Sequence, residues 1–245
     1  MKLFGLIGYP IAQSFSKGYF TKKFETENLT DCRFDAFPLT SIDLLGDLLN
    51  QHVSLMGFAV TIPYKEKVID YLDEKDEAID EIRAVNCVTI KNGILKGYNT
   101  DVIGFEKSIR PLLVNTYSGA LILGTGGAAK AVQYVLKKLA IPFLIVSRNP
   151  SQTDQIGYES ITETIIRNFP IIINCTPVGM SPNIHDYPQI PYQFINETNL
   201  LFDLIYNPGE TEFLQKGKAK GAVVKNGYEM LIIQAEENWT LWNAD

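Results

Sequence analysis

Cysteine and histidine are both scarce. The 245-residue chain has three cysteines, Cys32, Cys87 and Cys175, and two histidines, His52 and His185. The cysteines are odd in number and far apart, which fits neither a disulfide framework nor a zinc spacing and suits a reducing cytoplasm. Neither histidine sits in a ligand cluster, so no metal is expected. Positive charge is short as well. There are 22 Lys and Arg against 28 Asp and Glu, a net charge of −6, and phosphate backbones need a dense basic surface, so nucleic acid is not an expected partner. No apolar run approaches the ~20 residues of a membrane span. The apolar stretch within MKLFGLIGYP is too short for a signal peptide. Repeats and low-complexity segments are missing too. What remains is a chain that is 46% hydrophobic, too apolar to be mainly disordered. At roughly 100–200 residues per domain it holds one large domain or two modest ones.

Short apolar runs alternate with helix-like stretches. LFGLIG (3–8), FDAFPL (34–39), GFAVT (57–61) and NCVTI (86–90) read as strands. Residues 15–28, 41–52 and 65–82 read as helices, with apolar residues spaced by threes and fours. Alternation of this kind implies a parallel sheet with helical layers. Asn92-Gly93 predicts a hairpin between NCVTI and ILKGY, because both residues tolerate positive φ. The pattern then restarts. A helical stretch over 101–113 and a polar turn, NTYSG, precede the strand ALILG (120–124). A glycine-rich turn, a helix to about Ala140 and the strand FLIVS (143–147) follow. PIIINC (170–175), NLLFDL (199–204) and AVVK (222–225) are later strands, and 228–242 is a helix. The reading is an α/β protein with a second α/β domain beginning near residue 102.

Gly124-Thr125-Gly126-Gly127-Ala128-Ala129 fits G-x-G-x-x-[G/A] between a strand and a helix, the context that motif requires. The first glycine allows the tight turn, the second lets backbone approach a pyrophosphate, and a small third residue lets helix and strand pack closely. The helix N-terminus adds free N–H groups and partial positive charge. A glycine-rich connection without a ligand is the alternative. At the end of the next strand, Ser147-Arg148 replaces the acidic residue that would hold an NAD ribose. An arginine pairs with a 2′-phosphate instead, which favours NADP, unless Arg148 is simply a solvated side chain.

Three polar segments of the first half lie at or near strand ends, where ligands gather in open parallel sheets. They hold Ser14 and Ser16, then Thr61 and Lys65, then Asn99-Thr100-Asp101. Each residue alone also fits an ordinary role: a serine or Asp101 as a helix cap, Lys65 as a solvated lysine. Together, a lysine and an aspartate facing a nicotinamide could move a proton while hydride moves.

The motifs GYPIAQSFS (8–16), GFAVTIPYK (57–65), RAVNCV (83–88), GYNTD (97–101), GTGGAAKA (124–131), INCTPVGM (173–180), DLIYNP (203–208) and NGYEMLIIQA (226–235) appear in the order seen in the shikimate dehydrogenase family. The chain resembles that family over nearly its whole length. The resemblance implies NADPH-dependent reduction of 3-dehydroshikimate to shikimate in aromatic amino-acid synthesis. It implies an N-terminal, open, mostly parallel α/β substrate domain (1–101 and 228–245) and a C-terminal Rossmann NADP-binding domain (102–227). The last helix packs back on the first domain and brings Gln234 to the substrate.

By the same resemblance Lys65 and Asp101 are the catalytic pair. Ser14 and Ser16 hold the substrate carboxylate, Thr61, Asn86 and Gln234 hold ring hydroxyls, and Tyr206 lines the pocket. Gly124, Gly126, Gly127 and Ala128 form the phosphate loop, with Ser147 and Arg148 at the 2′-phosphate. Thr176, Gly179, Met180, Gly227 and Met230 lie along the nicotinamide half of the cofactor. A cytoplasmic monomer or homodimer is implied. A quinate/shikimate dehydrogenase using NAD and a non-catalytic dinucleotide-binding homologue are the rivals. Three departures stand out: Ala59 where the family has Asn, which predicts a lost hydrogen bond and weaker affinity; Gln13 where it often has His; and Ser151-Gln152-Thr153-Asp154 where a second basic residue usually follows Arg148.

Overall fold

Alternating strands and helices build two separate sheets in a computed structural model that describes residues 1–11, 15–113 and 117–244. The chain divides into two units, Met1–Thr100 with Ala235–Asp245, and Asp101–Gln234.

The first unit contains β1 (Lys2–Gly8), α1 (Phe15–Thr26), β2 (Cys32–Pro38), α2 (Leu45–Gln51), β3 (Leu55–Val60), β4 (Glu74–Lys75), α3 (Ile79–Ile82), β5 (Cys87–Lys91) and β6 (Ile94–Tyr98). Sheet order is β2-β1-β3-β5-β6-β4. Strands β2 and β3 flank β1 in parallel, while β5 runs antiparallel to β3 and to β6. After its first residue β1 is buried throughout, as a strand covered on both faces must be. The β5–β6 hairpin turns at Asn92 (φ 53°) and Gly93 (φ 80°), the positive-φ pair expected from that dipeptide.

The helix expected over 65–82 is not formed. A 3₁₀ turn (Lys67–Tyr71), β4 and the short α3 occupy that stretch. The backbone of β6 competes for it: Asp73 N donates to Leu95 O, Leu95 N to Asp73 Oδ2, and Asp76 N to Gly97 O. Pairing with a sheet edge overrides a helical spacing of apolar residues.

One face of this sheet carries an aromatic cluster. Phe4 stacks on Trp242 at 5.2 Å between centroids, Phe20 on Phe34 at 4.7 Å, and Phe24 packs on Trp239. Trp242 Nε1 donates to Val88 O at 3.0 Å. The two tryptophans come from α8 (Tyr228–Asn243), whose residues from Ala235 onward belong to this unit, so the last helix does return to the first sheet. Ala59 is buried in the same cluster, paired across β5 with Cys87. Its methyl group packs in that apolar cluster and offers no hydrogen bond.

The second unit contains α4 (Asp101–Ile109), β7 (Ala120–Leu123), α5 (Gly127–Lys138), β8 (Phe143–Val146), β9 (Gln155–Ile156), α6 (Glu163–Asn168), β10 (Ile171–Asn174), β11 (Leu200–Asp203), α7 (Glu212–Lys218) and β12 (Val223–Lys225). All its strands are parallel, in the order β12-β11-β10-β7-β8-β9. The four strands β7, β8, β10 and β11 are nearly wholly apolar, and α5 buries Ala129, Val132 and Leu136 on one stripe with Ala131 and Val135. Counted from β7, the strand order is 3-2-1-4-5-6, the doubly wound dinucleotide-binding arrangement. Its switch point lies between β7 and β10.

Candidate active site

In the first sheet the switch point lies between β1 and β3, whose carboxyl ends are tied together: Thr61 N donates to Ile7 O and Tyr9 N to Ile62 O, both at 3.0 Å. Thr61 and Lys65 follow β3, both half-buried. The turn carrying them is pinned by Tyr64, which donates from its amide to Thr61 O and from its hydroxyl to Leu39 O at 2.6 Å. Burial raises the Tyr64 hydroxyl above its ordinary titration range, so it stays a donor. Ser16 lies in the first turn of α1. Ser14 and Gln13 lie outside the described residues.

Lys65 O accepts from Val85 N at 2.7 Å, which brings the next residue, Asn86, to the same side of the sheet. Asn86 is 3% exposed, and Thr100 grips its amide at two points. Thr100 N donates to Asn86 Oδ1 at 2.7 Å, and Asn86 Nδ2 donates to Thr100 Oγ1 at 3.0 Å. The single Thr100 hydroxyl proton goes to Asn238 Oδ1 at 2.6 Å. In the sequence Thr100 shows only as part of a polar segment, and the signal for Asn238 is a second polar residue one turn after Gln234 on an otherwise apolar helix face. Asp101 follows Thr100 directly, opens α4 and is buried.

In the second unit the glycine turn leaves β7 at Gly124, whose φ of 110° is costly for any residue with a Cβ. Gly126 caps α5 without a side-chain hydrogen bond, and a Cβ there would meet nothing within 4 Å. The half-buried first turn of α5 therefore presents its N-terminal amides behind the exposed Gly126, beside open space, which fits a pyrophosphate. Gly127 and Ala128 form that first turn. One strand over, Ser147 Oγ accepts from Asn149 N, and Arg148 is exposed. Its charge reaches Tyr158, whose hydroxyl burial raises and Arg148 lowers.

On the other side of the switch point, Thr176 follows β10. A Cβ on Gly124 would stand 3.0 Å from Thr176 Cγ2, so the two turns touch. Gly179 (φ 98°) is buried and Met180 is exposed, its amide donating to Pro177 O. Tyr206 follows β11, its hydroxyl raised by burial. Gly227 N donates to Ile205 O at 3.0 Å just before α8. Within α8, Met230 and Gln234 are buried against Gly104 of α4, and Gln234 Nε2 donates to Leu231 O at 2.9 Å. The second unit thus brings Gly124, Gly126, Gly127, Ala128 and Thr176 together at one strand-end switch point. The first brings Thr61, Lys65 and Asn86 together at another.

Among the described residues no group of three or more His, Cys, Asp or Glu is arranged to hold a metal, and no helix is long and apolar enough to cross a membrane. A family model described as shikimate dehydrogenase substrate binding domain matches residues 6–88. A protein of Caldanaerobacter subterraneus subsp. tengcongensis named shikimate dehydrogenase (NADP(+)) is 34% identical over 263 aligned positions, covering 100% of this chain and 92% of that one. One of the same name from Staphylococcus aureus is 36% identical, covering 98% and 91%. The solved structure of shikimate 5-dehydrogenase from Thermus thermophilus, in complex with NADP(H) and shikimate, matches with a TM-score of 0.86 at 28% identity, covering 99% of this chain and 94% of that one. Likeness of this extent, on top of a dinucleotide-type sheet and a second sheet whose switch point carries lysine and amide, leads to one conclusion: the chain belongs to the shikimate dehydrogenase family.

Proposed function

We propose that the chain catalyses the reversible NADPH-dependent reduction of 3-dehydroshikimate to shikimate, a step of aromatic amino-acid synthesis. The observation that carries this reading is the full-length likeness to relatives named shikimate dehydrogenase (NADP(+)) in a chain that keeps both the glycine turn and the Lys65 segment. Residues 1–101 and 228–245 serve substrate, and 102–227 serve the dinucleotide. When bound, the reduced dinucleotide supplies the hydride to the carbonyl carbon. The chain's own residues position the substrate and manage the proton. Ser14 and Ser16 bind the substrate carboxylate; Thr61, Asn86 and Gln234 bind ring hydroxyls; Tyr206 lines the pocket. Lys65 gives a proton to the carbonyl oxygen as hydride arrives, and Asp101 orients the ammonium. Lys65 is tied through its carbonyl to the neighbour of Asn86, and Asp101 follows the residue that grips Asn86. That common anchor supports pairing them in one reaction.

For the cofactor, the amides of Gly126, Gly127 and Ala128 bind the pyrophosphate. Ser147 and Arg148 meet the 2′-phosphate, and Thr176, Gly179, Met180, Gly227 and Met230 flank the nicotinamide half. The enzyme works in the cytoplasm as a monomer or homodimer. Purified protein mixed with shikimate and NADP⁺ is expected to form NADPH, read by its near-ultraviolet absorbance. Turnover with quinate and NAD⁺ but not with shikimate and NADP⁺ would replace this reading by its nearest rival. Dinucleotide binding with no turnover of either acid would make the chain a sensor.

A further inference from the structure

The turn after β10 rests on a buried polar network that none of the roles above uses. Asn174 is fully buried, and its amide makes four hydrogen bonds. Oδ1 accepts from the Thr176 amide at 3.1 Å and from the Thr176 hydroxyl at 2.6 Å. Nδ2 donates to Val178 O at 3.3 Å and to Asp203 Oδ1 at 3.1 Å. Asp203 ends β11 and is fully buried too. Its Oδ1 also accepts from Ile205 N at 3.0 Å, and its Oδ2 from the Thr211 hydroxyl at 2.6 Å. Thr211 in turn caps α7 by accepting from Leu214 N. One carboxylate therefore joins the ends of β10 and β11, the start of α7 and, through Asn174, the Thr176–Val178 turn. That turn is the one whose methyl group lies against Gly124.

We propose that Asp203, acting through Asn174, is a positioning residue that sets dinucleotide affinity by holding the Thr176–Val178 turn against the glycine turn. The proposal rests on the reading of the second sheet as the NADP site. The ionised carboxylate is the form that holds, because it accepts from three donors at once. A neutral carboxyl carries a proton on one of those oxygens and accepts more weakly, so the Thr211 hydroxyl must reverse or a donor must let go. Burial pushes Asp203 up to about 6, against the hydrogen bonds from Thr211, Ile205 and Asn174 that favour its charge. Cys175 and Tyr192 are the titratable groups that feel its charge, and burial pushes both far up, so both stay neutral. The switch between holding and loosened forms thus belongs to Asp203 itself.

The test is NADP⁺ affinity of the whole chain, by titration calorimetry, over pH about 5 to 8. The 2′-phosphate of the probe titrates near ~6 as well, so the difference between wild-type and variant profiles is the quantity read. Asp203→Asn is expected to weaken NADP⁺ binding roughly tenfold at neutral pH and to remove one inflection. At saturating cofactor the KM for shikimate stays near wild type. Thr211→Val removes a bond that favours the charged form, so it is expected to move that inflection to higher pH, while Thr211→Ser restores it. Should Asp203→Asn fail to fold, the Thr211 pair decides alone. Wild-type affinity and profile in Thr211→Val, or in folded Asp203→Asn, would overturn the proposal. A wild-type chain that binds no dinucleotide would overturn the NADP reading and this proposal with it.

Discussion

Each unit centres on a buried asparagine, but the two are held by different chemistry. In the first, Asn86 is gripped by Thr100, and Thr100 by Asn238, a chain of neutral groups. In the second, Asn174 is gripped by the carboxylate of Asp203. Neutral groups hold geometry at every pH, whereas a buried carboxylate accepts most strongly while ionised and must rearrange once it takes a proton. The difference teaches that the polar anchor of the first unit is insensitive to acidity and that of the second is not. Glu236, a partly buried acid of the first unit, makes the contrast sharper. Burial alone would raise it, but hydrogen bonds from Lys23 and Tyr19 and the charge of Lys23 bring it below the usual carboxylate range. It is ionised wherever the protein works.

Four substitutions break or sharpen this division of labour. Lys65→Ala should cost the most. General acid catalysis contributes roughly 10²–10⁴-fold, so steady-state assays should show kcat falling by about that factor while KM for NADP⁺ hardly moves. Wild-type kcat would remove Lys65 from the proton step. Arg148→Gln should act on the other half. Losing a charge-assisted pair costs about 1.5–3 kcal/mol, so KM for NADP⁺ should rise roughly tenfold to a hundredfold, with KM for NAD⁺ unchanged. A parallel loss with NAD⁺ would contradict a 2′-phosphate contact.

Thr100→Val removes the hydroxyl that accepts from Asn86 Nδ2 and donates to Asn238 Oδ1. Each such hydrogen bond contributes about 0.5–1.5 kcal/mol, so the loss, read from urea unfolding, should be about 1–3 kcal/mol and the same at acid and neutral pH. A loss that varies with pH would break the comparison, and Thr100→Ser should recover most of the stability. Glu236→Gln should be the smallest. The pair with Lys23 is partly exposed and contributes below about 1 kcal/mol. Because its folded-state titration lies below the unfolded value, that contribution is present at neutral pH. It should disappear as pH falls through the folded value. An effect that persists in acid would mean the carboxylate charge is not the source.

Much of this was legible in the chain. Alternating apolar runs marked the strands, Asn92-Gly93 marked the hairpin, and the glycine turn carried its own context of strand and helix. Local signals failed where tertiary pairing decided. Leu72, Ile79 and Ile82 have helical spacing with Val68, yet β6 claims the backbone of residues 73–76. The polar anchors were harder still. Asn174 and Asp203 each end an apolar strand, which is visible, but nothing local says that they meet across 29 positions. Asn238 pairs with Thr100 across 138 positions.

Trp239 and Trp242 cover Phe4, Phe20, Phe24 and Phe34, rings drawn from the opening thirty-odd residues of the chain. Domains emerging from a ribosome usually mature in order, N-terminal first. Here the opening module cannot complete its aromatic layer until translation has passed Trp242, whereas Asp101–Gln234 is finished earlier. The four phenylalanines therefore gain their tryptophan cover only after residue 242 has been made, later than every residue of Asp101–Gln234.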